Sequence, residues 1–215
     1  MTANTLKTLA LTAGTTALFW MGASPAGAVD LINGDFATGD LTGWTVFTTP
    51  VGNNGPGLPD VVPFDTTIGT TSNSARFQVG SGGGGILQDV TLFGGLLNIS
   101  VDVAAQGLAT NSDGGTFALL LNNTVVDSFV SGTILTGGVK RDTLTASVPV
   151  GAGVNSIGLQ ITRLFSNSAD SPLQYATNFA ISGPATQPNT SVPEPDLGMA
   201  LLTLGGLGIL IRRVR

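Results

Sequence analysis

Cysteine and histidine are absent from this 215-residue chain, and tyrosine and glutamate occur once each, at Tyr175 and Glu194. Without cysteine no disulfide braces the fold, so stability must come from burial and backbone pairing. The two absences together exclude Ser-His-Asp and Cys-His catalysis and remove the usual zinc ligands. Charge is scarce as well: Asp, Glu, Lys and Arg make up 10% of the chain, with 13 acidic against 8 basic residues. Between residues 29 and 183 the acidic groups are all Asp, opposed only by Arg76, Lys140, Arg141 and Arg163. A net-negative body with no basic stripe repels phosphate backbones, which excludes a nucleic-acid partner.

What is abundant is Gly, at 31 residues, with many Thr, Ser and Asn. The first 28 residues have the layout of a secretory signal: Lys7, an apolar stretch from Leu9 to Met21, and a small-x-small cleavage site at Ala26-Gly27-Ala28. The mature chain is therefore expected to begin at Val29, after signal peptidase. Residues 184–191 form a polar linker without apolar periodicity. Beyond it, residues 192–215 have three parts: Val192-Pro193-Glu194-Pro195, an apolar run from Leu197 to Ile211, and a basic end with Arg212, Arg213 and Arg215.

Each part has a physical role. Pro193 and Pro195 keep the motif extended. As a helix, the apolar run would span roughly 22 Å, short of the ~20 residues of a full crossing. A short transmembrane helix is expected, since lipid enforces helicity on a Gly-rich segment. The terminal arginines stop it and stay cytoplasmic. The body of the protein is then held outside, in agreement with the signal.

Between the ends, residues 29–183 read as one all-β domain. From Leu97 to Ala105, Leu97, Ile99, Val101, Val103 and Ala105 alternate with Asn98, Ser100, Asp102 and Ala104, the period of a half-buried strand. Asn155 to Arg163 repeats the pattern. Thr116–Leu121 and Thr124–Val130 flank Asn122-Asn123 as a hairpin. Further strands are expected at 43–48, 75–79, 86–92, 143–148 and 175–182, and no helix inside the domain. The fold class is an antiparallel β-sandwich, jelly-roll-like, between a signal helix and a C-terminal membrane helix.

Candidate chemistry is sparse. Gly82 to Gly85 lacks the Lys-Ser/Thr and the helix of a phosphate loop and reads as a flexible connection. Asn111-Ser112-Asp113-Gly114-Gly115 lacks the later acidic ligand of a calcium loop and reads as an Asx turn. No catalytic residues and no metal ligands are assigned. For a sugar, Phe47, Phe64, Gln106, Arg163 and Tyr175 have suitable chemistry, but aromatics are expected to serve the core first.

The tail, with Val192, Pro193, Glu194 and Pro195 ahead of its apolar and basic parts, resembles a PEP-CTERM sorting signal. That implies processing by exosortase, an integral-membrane transpeptidase, in bacteria that make exopolysaccharide. It also implies an inner-membrane-anchored intermediate on the way to the cell surface or extracellular matrix. The body resembles galactose-binding-like jelly rolls, the architecture of many carbohydrate-binding modules. The resemblance lies in Asn33-Gly34-Asp35-Phe36 leading to Gly43-Trp44, in Gly85–Val90, and in Ala176–Ile181. It implies Phe36 and Trp44 as core anchors, a last strand returning beside the first, and a module associating with exopolysaccharide. The lack of an acid–base or nucleophile set points to a non-enzymatic role, and the scarce charge with many Thr, Ser, Asn and Gly favours the alternative of a structural, adhesive matrix component. Family members often hold a structural calcium, but Ala37 and Thr177 stand where carboxylates are expected. Asp35 and Asp40 with backbone carbonyls leave room for a weak structural calcium site, and no other cofactor is expected.

Overall fold

A computed structural model describes residues 31–108, 112–166 and 168–183. The signal cleavage site at Ala26 and Ala28, the linker, the motif Val192, Pro193, Glu194 and Pro195, and the stop residues Arg212, Arg213 and Arg215 lie outside the described residues.

Ten strands follow one another: β1 (Thr45–Thr48), β2 (Asp60–Thr67), β3 (Thr70–Phe77), β4 (Gly84–Gln106), β5 (Ser112–Asp113), β6 (Thr116–Leu121), β7 (Thr124–Val130), β8 (Thr133–Ile134), β9 (Val139–Thr162) and β10 (Leu173–Ser182). The strands pair antiparallel in the order β2-β3-β10-β4-β9-β6-β7, with β1 added beside β4; β5 and β8 make a separate short pair. The all-β sandwich expected from alternation is therefore present.

Two strands make it a sandwich. β4 and β9, 23 and 24 residues long, pair from Gly84 opposite Ile161 to Gln106 opposite Val139. Both bend midway, where Gly94, Gly95 and Gly153 have φ of 85°, 122° and 114°, angles that L side chains rarely adopt. The first half of β4 joins β1 and the second half of β9, which leads on to β6 and β7. The second half of β4 joins the first half of β9 on one side and β10 on the other, and β10 leads on to β3 and β2. One ladder thus runs through both layers. Residues 86–92 and 97–105, read from sequence as separate strands, belong to one strand, and so do 143–148 and 155–162. Glycine turns the corner without shifting the register, the ladder skipping only Gly94 opposite Gly151, whereas sequence periodicity breaks there.

The core lies between the layers. Leu97, Ile99, Val101 and Val103 from one side meet Ile86, Leu92, Phe117, Leu119, Ile157, Leu159 and Ile161 from the other. The β6–β7 hairpin turns at Asn122 and Asn123, with φ of 52° and 62°. Glycines 82–85 are packed rather than loose: a Cβ on Gly83 or Gly85 would land on the carbonyl oxygen of Ile161 or Leu159. Besides the two-residue strands β5 and β8, the strand missed from sequence is β2. It contains Pro63, which cannot donate to a ladder, and proline survives in sheets chiefly at edges. β2 is such an edge.

Phe36, Trp44 and Phe179 close one end of the core, with ring centroids 4.5 to 6.2 Å apart. The Trp44 indole N–H donates to the Asn33 carbonyl at 3.0 Å, and the Phe179 N–H donates to that of Gly34 at 2.9 Å. The last strand thus meets the opening motif, but it pairs with β3 and β4 and does not lie beside β1, the first strand, where the resemblance put it.

Candidate functional site

Alternation along β4 aims Asn98, Ser100, Asp102, Ala104 and Gln106 away from the core. The register sets Ser147, Thr145, Thr143 and Arg141 of β9 on one side of them, and Ser182, Ala180, Thr177 and Tyr175 of β10 on the other. The outward face of this layer is therefore a ladder of hydroxyls and amides three strands wide. Ser147 Oγ donates to Asn98 Oδ1 at 2.8 Å and Thr143 Oγ1 to Asp102 Oδ1 at 2.6 Å. Asn178, left-handed at φ 53° within a bulge of β10, donates its amide to Asp102 Oδ2 at 2.8 Å. An open groove of about 350 Å³ runs over Asn98, Ser100, Thr145, Ser147, Ala180 and Ser182. A second depression, of about 380 Å³, lies over Thr66, Thr67, Ile68, Arg141, Asp142 and Thr143. From Arg141 to Ser147 the face is about 20 Å long, at the usual rise per strand residue.

The other end of the same face is covered. Tyr175 and Ala104 point away from the core, yet Tyr175 is 4% exposed and Ala104 fully buried. The cover is β2. Phe64 stacks flat on Tyr175, with ring centroids 3.5 Å apart and planes 4° from parallel. Arg141 Nε donates to the Asp65 carbonyl at 2.9 Å, and Nη2 to its carboxylate at 3.3 Å. In a flat sheet β2 and β9 would be four strand spacings apart, roughly 19 Å. The layer must therefore curl, making its outward face concave. Arg76 fixes the base of the curl with a bidentate pair to Asp60, Nε to Oδ1 at 2.9 Å and Nη2 to Oδ2 at 2.5 Å.

Of the residues with sugar-binding chemistry, the fold brings together Phe64, Tyr175 and Gln106, whose Oε1 accepts the Tyr175 hydroxyl at 3.0 Å. Phe47 belongs to the other layer, on β1. Arg163 is buried, and its guanidinium is spent on the carbonyls of Asp113 and Val79 and on Ser112 Oγ. Desolvation lowers its pKa from the ordinary value, and the charge of Asp113 opposes that shift. Asn98, Ser100, Thr145 and Ser147 were not singled out from sequence. Their alternation was visible, but it reads only as a solvated strand face until register places the three strands side by side.

Burial raises the Tyr175 hydroxyl pKa above its ordinary value, partly offset by nearby Arg76. A pKa raised by folding contributes stability that is complete below the unfolded value, about 10, and is lost as pH rises through the folded one. As the sole tyrosine, Tyr175 gives a clean signal. Tyrosinate absorbance should rise at a pH above that of free tyrosine, together with alkaline destabilisation that Tyr175→Phe removes. A midpoint at the free value would mean that the ring is not covered.

In the opening loop one oxygen of each carboxylate is engaged within the loop itself. Asp35 Oδ1 accepts the Ala37 N–H at 3.1 Å; Asp40 Oδ1 accepts the Thr42 N–H at 2.9 Å and the Thr38 hydroxyl at 2.6 Å. The Thr38 hydrogen bond, ahead of that from Thr42, lowers the Asp40 pKa. Thr177 Oγ1 donates to the Asn73 carbonyl at 2.6 Å, and the Asn73 amide donates to that of Phe36 at 3.0 Å. Calcium takes six to eight oxygen ligands, and among the described residues no three carboxylates come together to hold a metal ion. Asp113 Oδ1 accepts the Gly115 N–H at 3.1 Å, the Asx turn read from sequence.

The fold and face define an all-β, jelly-roll-like sandwich with a concave polar surface. Residues 191–215 match the PEP-CTERM protein-sorting motif. The chain is thus an exported protein carrying an exosortase-type sorting signal. None of the curated proteins matches it in sequence. Among solved structures it is similar to TmCBM61 in complex with β-1,4-galactotriose, at 15% identity, 72% of this chain, 97% of that one and a TM-score of 0.44. It is similar to the CBM22-1 xylan-binding domain from Paenibacillus barcinonensis Xyn10C, at 15% identity, 74% and 98% coverage and a TM-score of 0.42. It also resembles part of the arabinose-bound MgGH51 α-L-arabinofuranosidase, at 15% identity and a TM-score of 0.47, covering 74% of this chain but only 27% of that enzyme.

Proposed function

We propose that this protein is a non-enzymatic surface module that associates with exopolysaccharide through the concave face of its sandwich. The sorting tail would hold it as an inner-membrane-anchored intermediate, after signal peptidase and before exosortase, and then deliver it to the cell surface or extracellular matrix. The observation that carries the binding assignment is the open groove across β10, β4 and β9, lined by Asn98, Ser100, Thr145, Ser147 and Ser182 together with Ile99, Ala146, Ala180 and Ile181. Uncharged hydroxyl and amide groups on a rigid sheet suit an uncharged polyol chain, since both sides can donate and accept. The face is long enough for an extended polymer rather than a single sugar.

A non-enzymatic role is supported by the engagement of its carboxylates. Asp102 has both oxygens hydrogen-bonded, and Asp65 Oδ2 is paired with Arg141, while the buried Asp65 Oδ1 has no partner. Glycoside hydrolysis needs one carboxylic acid and one free carboxylate set across the bond. The hydrogen bonds that Asp35 Oδ1 and Asp40 Oδ1 accept within their own loop support a fold independent of metal, so a chelator should leave the melting temperature unchanged; a fall restored by calcium would contradict this.

Affinity electrophoresis through gels containing exopolysaccharide from a producing bacterium tests the binding role, with retardation as the expected result. No retardation on any polysaccharide would leave the second reading, a structural or adhesive matrix component. The cover over Tyr175 favours that alternative, because it takes the best stacking ring away from solvent. β7 presents Val125 and Val130 to solvent at a sheet edge, where association between copies would begin. Concentration-dependent sedimentation distinguishes the two.

A further inference from the structure

The bend shared by β4 and β9 exposes several large apolar side chains. Phe93, Leu96 and Val154 are 43%, 57% and 69% exposed, and the register places Pro149 opposite Leu96 and Ala152 opposite Phe93. Leu96 and Pro149 continue the outward face of the first layer; Phe93 and Val154 continue that of the second. The sequence carries no charge from Val90 to Val101 or from Leu144 to Thr162. In an acidic protein this is a neutral, greasy tip on a projecting two-stranded ribbon.

The same tip is where the chain leaves the sandwich. Ser182 pairs with Asn98, and Gly183 lies so close to the Leu96 carbonyl that a Cβ there would strike it. The glycine, at φ 143°, permits this approach. Residues 184–196 can extend no more than roughly 45 Å, and the apolar run from Leu197 to Ile211 follows. Wherever that run enters lipid, the bend is the part of the sandwich tethered nearest to it.

We propose that the Phe93–Leu96 bend, with Val154, is a lipid-contacting tip that seats the sandwich on the bilayer while the tail is anchored. This rests on the anchored intermediate proposed above. The occupant is the bilayer rather than a protein partner because of where the chain exits and because the tip lacks charge. An aromatic and aliphatic tip without carboxylates enters the interfacial region at little electrostatic cost. The acidic residues nearest in sequence, Asp89 and Asp102, flank the ribbon rather than cap it. Contact at the bend also places the Asn98–Ser147–Ser182 end of the groove toward the membrane. Release of the tail would then turn that end outward.

The absence of cysteine makes the test direct. The full chain, carrying one introduced cysteine at Leu96→Cys or Val154→Cys, is spin-labelled and reconstituted into phosphatidylcholine–phosphatidylglycerol vesicles. Relaxation by oxygen, which partitions into lipid, is compared with relaxation by a water-soluble nickel chelate. The control is Val130→Cys, which is exposed at the opposite end of β7. Both positions are well exposed, so labelling leaves the core intact. The expected result is flotation with vesicles and an oxygen-to-nickel ratio severalfold higher at 96 and 154 than at 130. Flotation with equal ratios at all three sites overturns the lipid-contacting tip while leaving the anchor standing. Failure to float overturns the anchor and the tip together. Leu96→Glu with Val154→Glu should abolish the difference in a probe at Phe93→Cys without changing flotation; persistence of that difference also counts against the proposal.

Discussion

Replacing Phe36 by alanine should cost about 3–5 kcal/mol of stability, the usual range for removing a fully buried phenylalanine ring. Phe36 is entirely buried and touches both Trp44 and Phe179, so its loss opens a cavity among three rings. The backbone worsens the effect. Phe36 has φ of 54°, a left-handed conformation that costs an L residue about 1–2 kcal/mol, and in the native protein ring burial offsets that cost. Alanine keeps the strain and removes the compensation, whereas glycine removes both. Phe36→Gly should therefore be no less stable than Phe36→Ala despite its greater freedom in the unfolded chain. Urea denaturation of the two variants reads the difference directly. A loss below about 1 kcal/mol, the level of an ordinary substitution, would mean that the opening motif does not close the core.

The second large effect is expected at Arg163. Its guanidinium is buried and donates to two backbone carbonyls, Asp113 at 2.8 Å and Val79 at 2.9 Å. Methionine fills much of the same volume but donates nothing. Each orphaned carbonyl costs about 1–3 kcal/mol, so Arg163→Met should destabilise by roughly 2–6 kcal/mol over the two. Part of this is returned because the buried cation itself is no longer desolvated. The sequence suggested this arginine as a possible sugar contact, and the two roles predict different outcomes. A sugar contact would weaken retention on polysaccharide with stability kept. A staple lowers stability, and the surviving folded fraction binds as before.

The strands with clean alternation were legible from sequence because their two faces meet different media. Leu97–Ala105 and the Asn122-Asn123 hairpin appear in the structure where the pattern put them. Three features were not legible. β2 carries Pro63 and a bulge between Phe64 and Thr67, so its pattern is broken at the point where it folds over the sheet. The continuity of β4 and β9 depends on glycines that carry no periodic signal. The concave face depends on register among strands distant in sequence: Thr145 and Ser100 are neighbours through pairing alone. Phe64, Gln106 and Tyr175 were recognisable as chemistry, but only the curl of the sheet shows that they engage one another rather than a ligand. The sorting tail was legible because its information lies in local order and composition, which need no tertiary contact.

One substitution tests the binding face most directly. Thr145 is exposed at the centre of the groove and contributes no side-chain hydrogen bond among those that shape it. Thr145→Trp should lay an indole across the groove without disturbing the core, tryptophan being well tolerated in strands. Affinity electrophoresis through exopolysaccharide should then show retention weakened by about tenfold or more, equivalent to ~1.4 kcal/mol, with an unchanged melting temperature. Thr124→Trp, on edge strand β7, should retain full binding. Equal retention of both variants and the parent protein would contradict the assignment of the concave face.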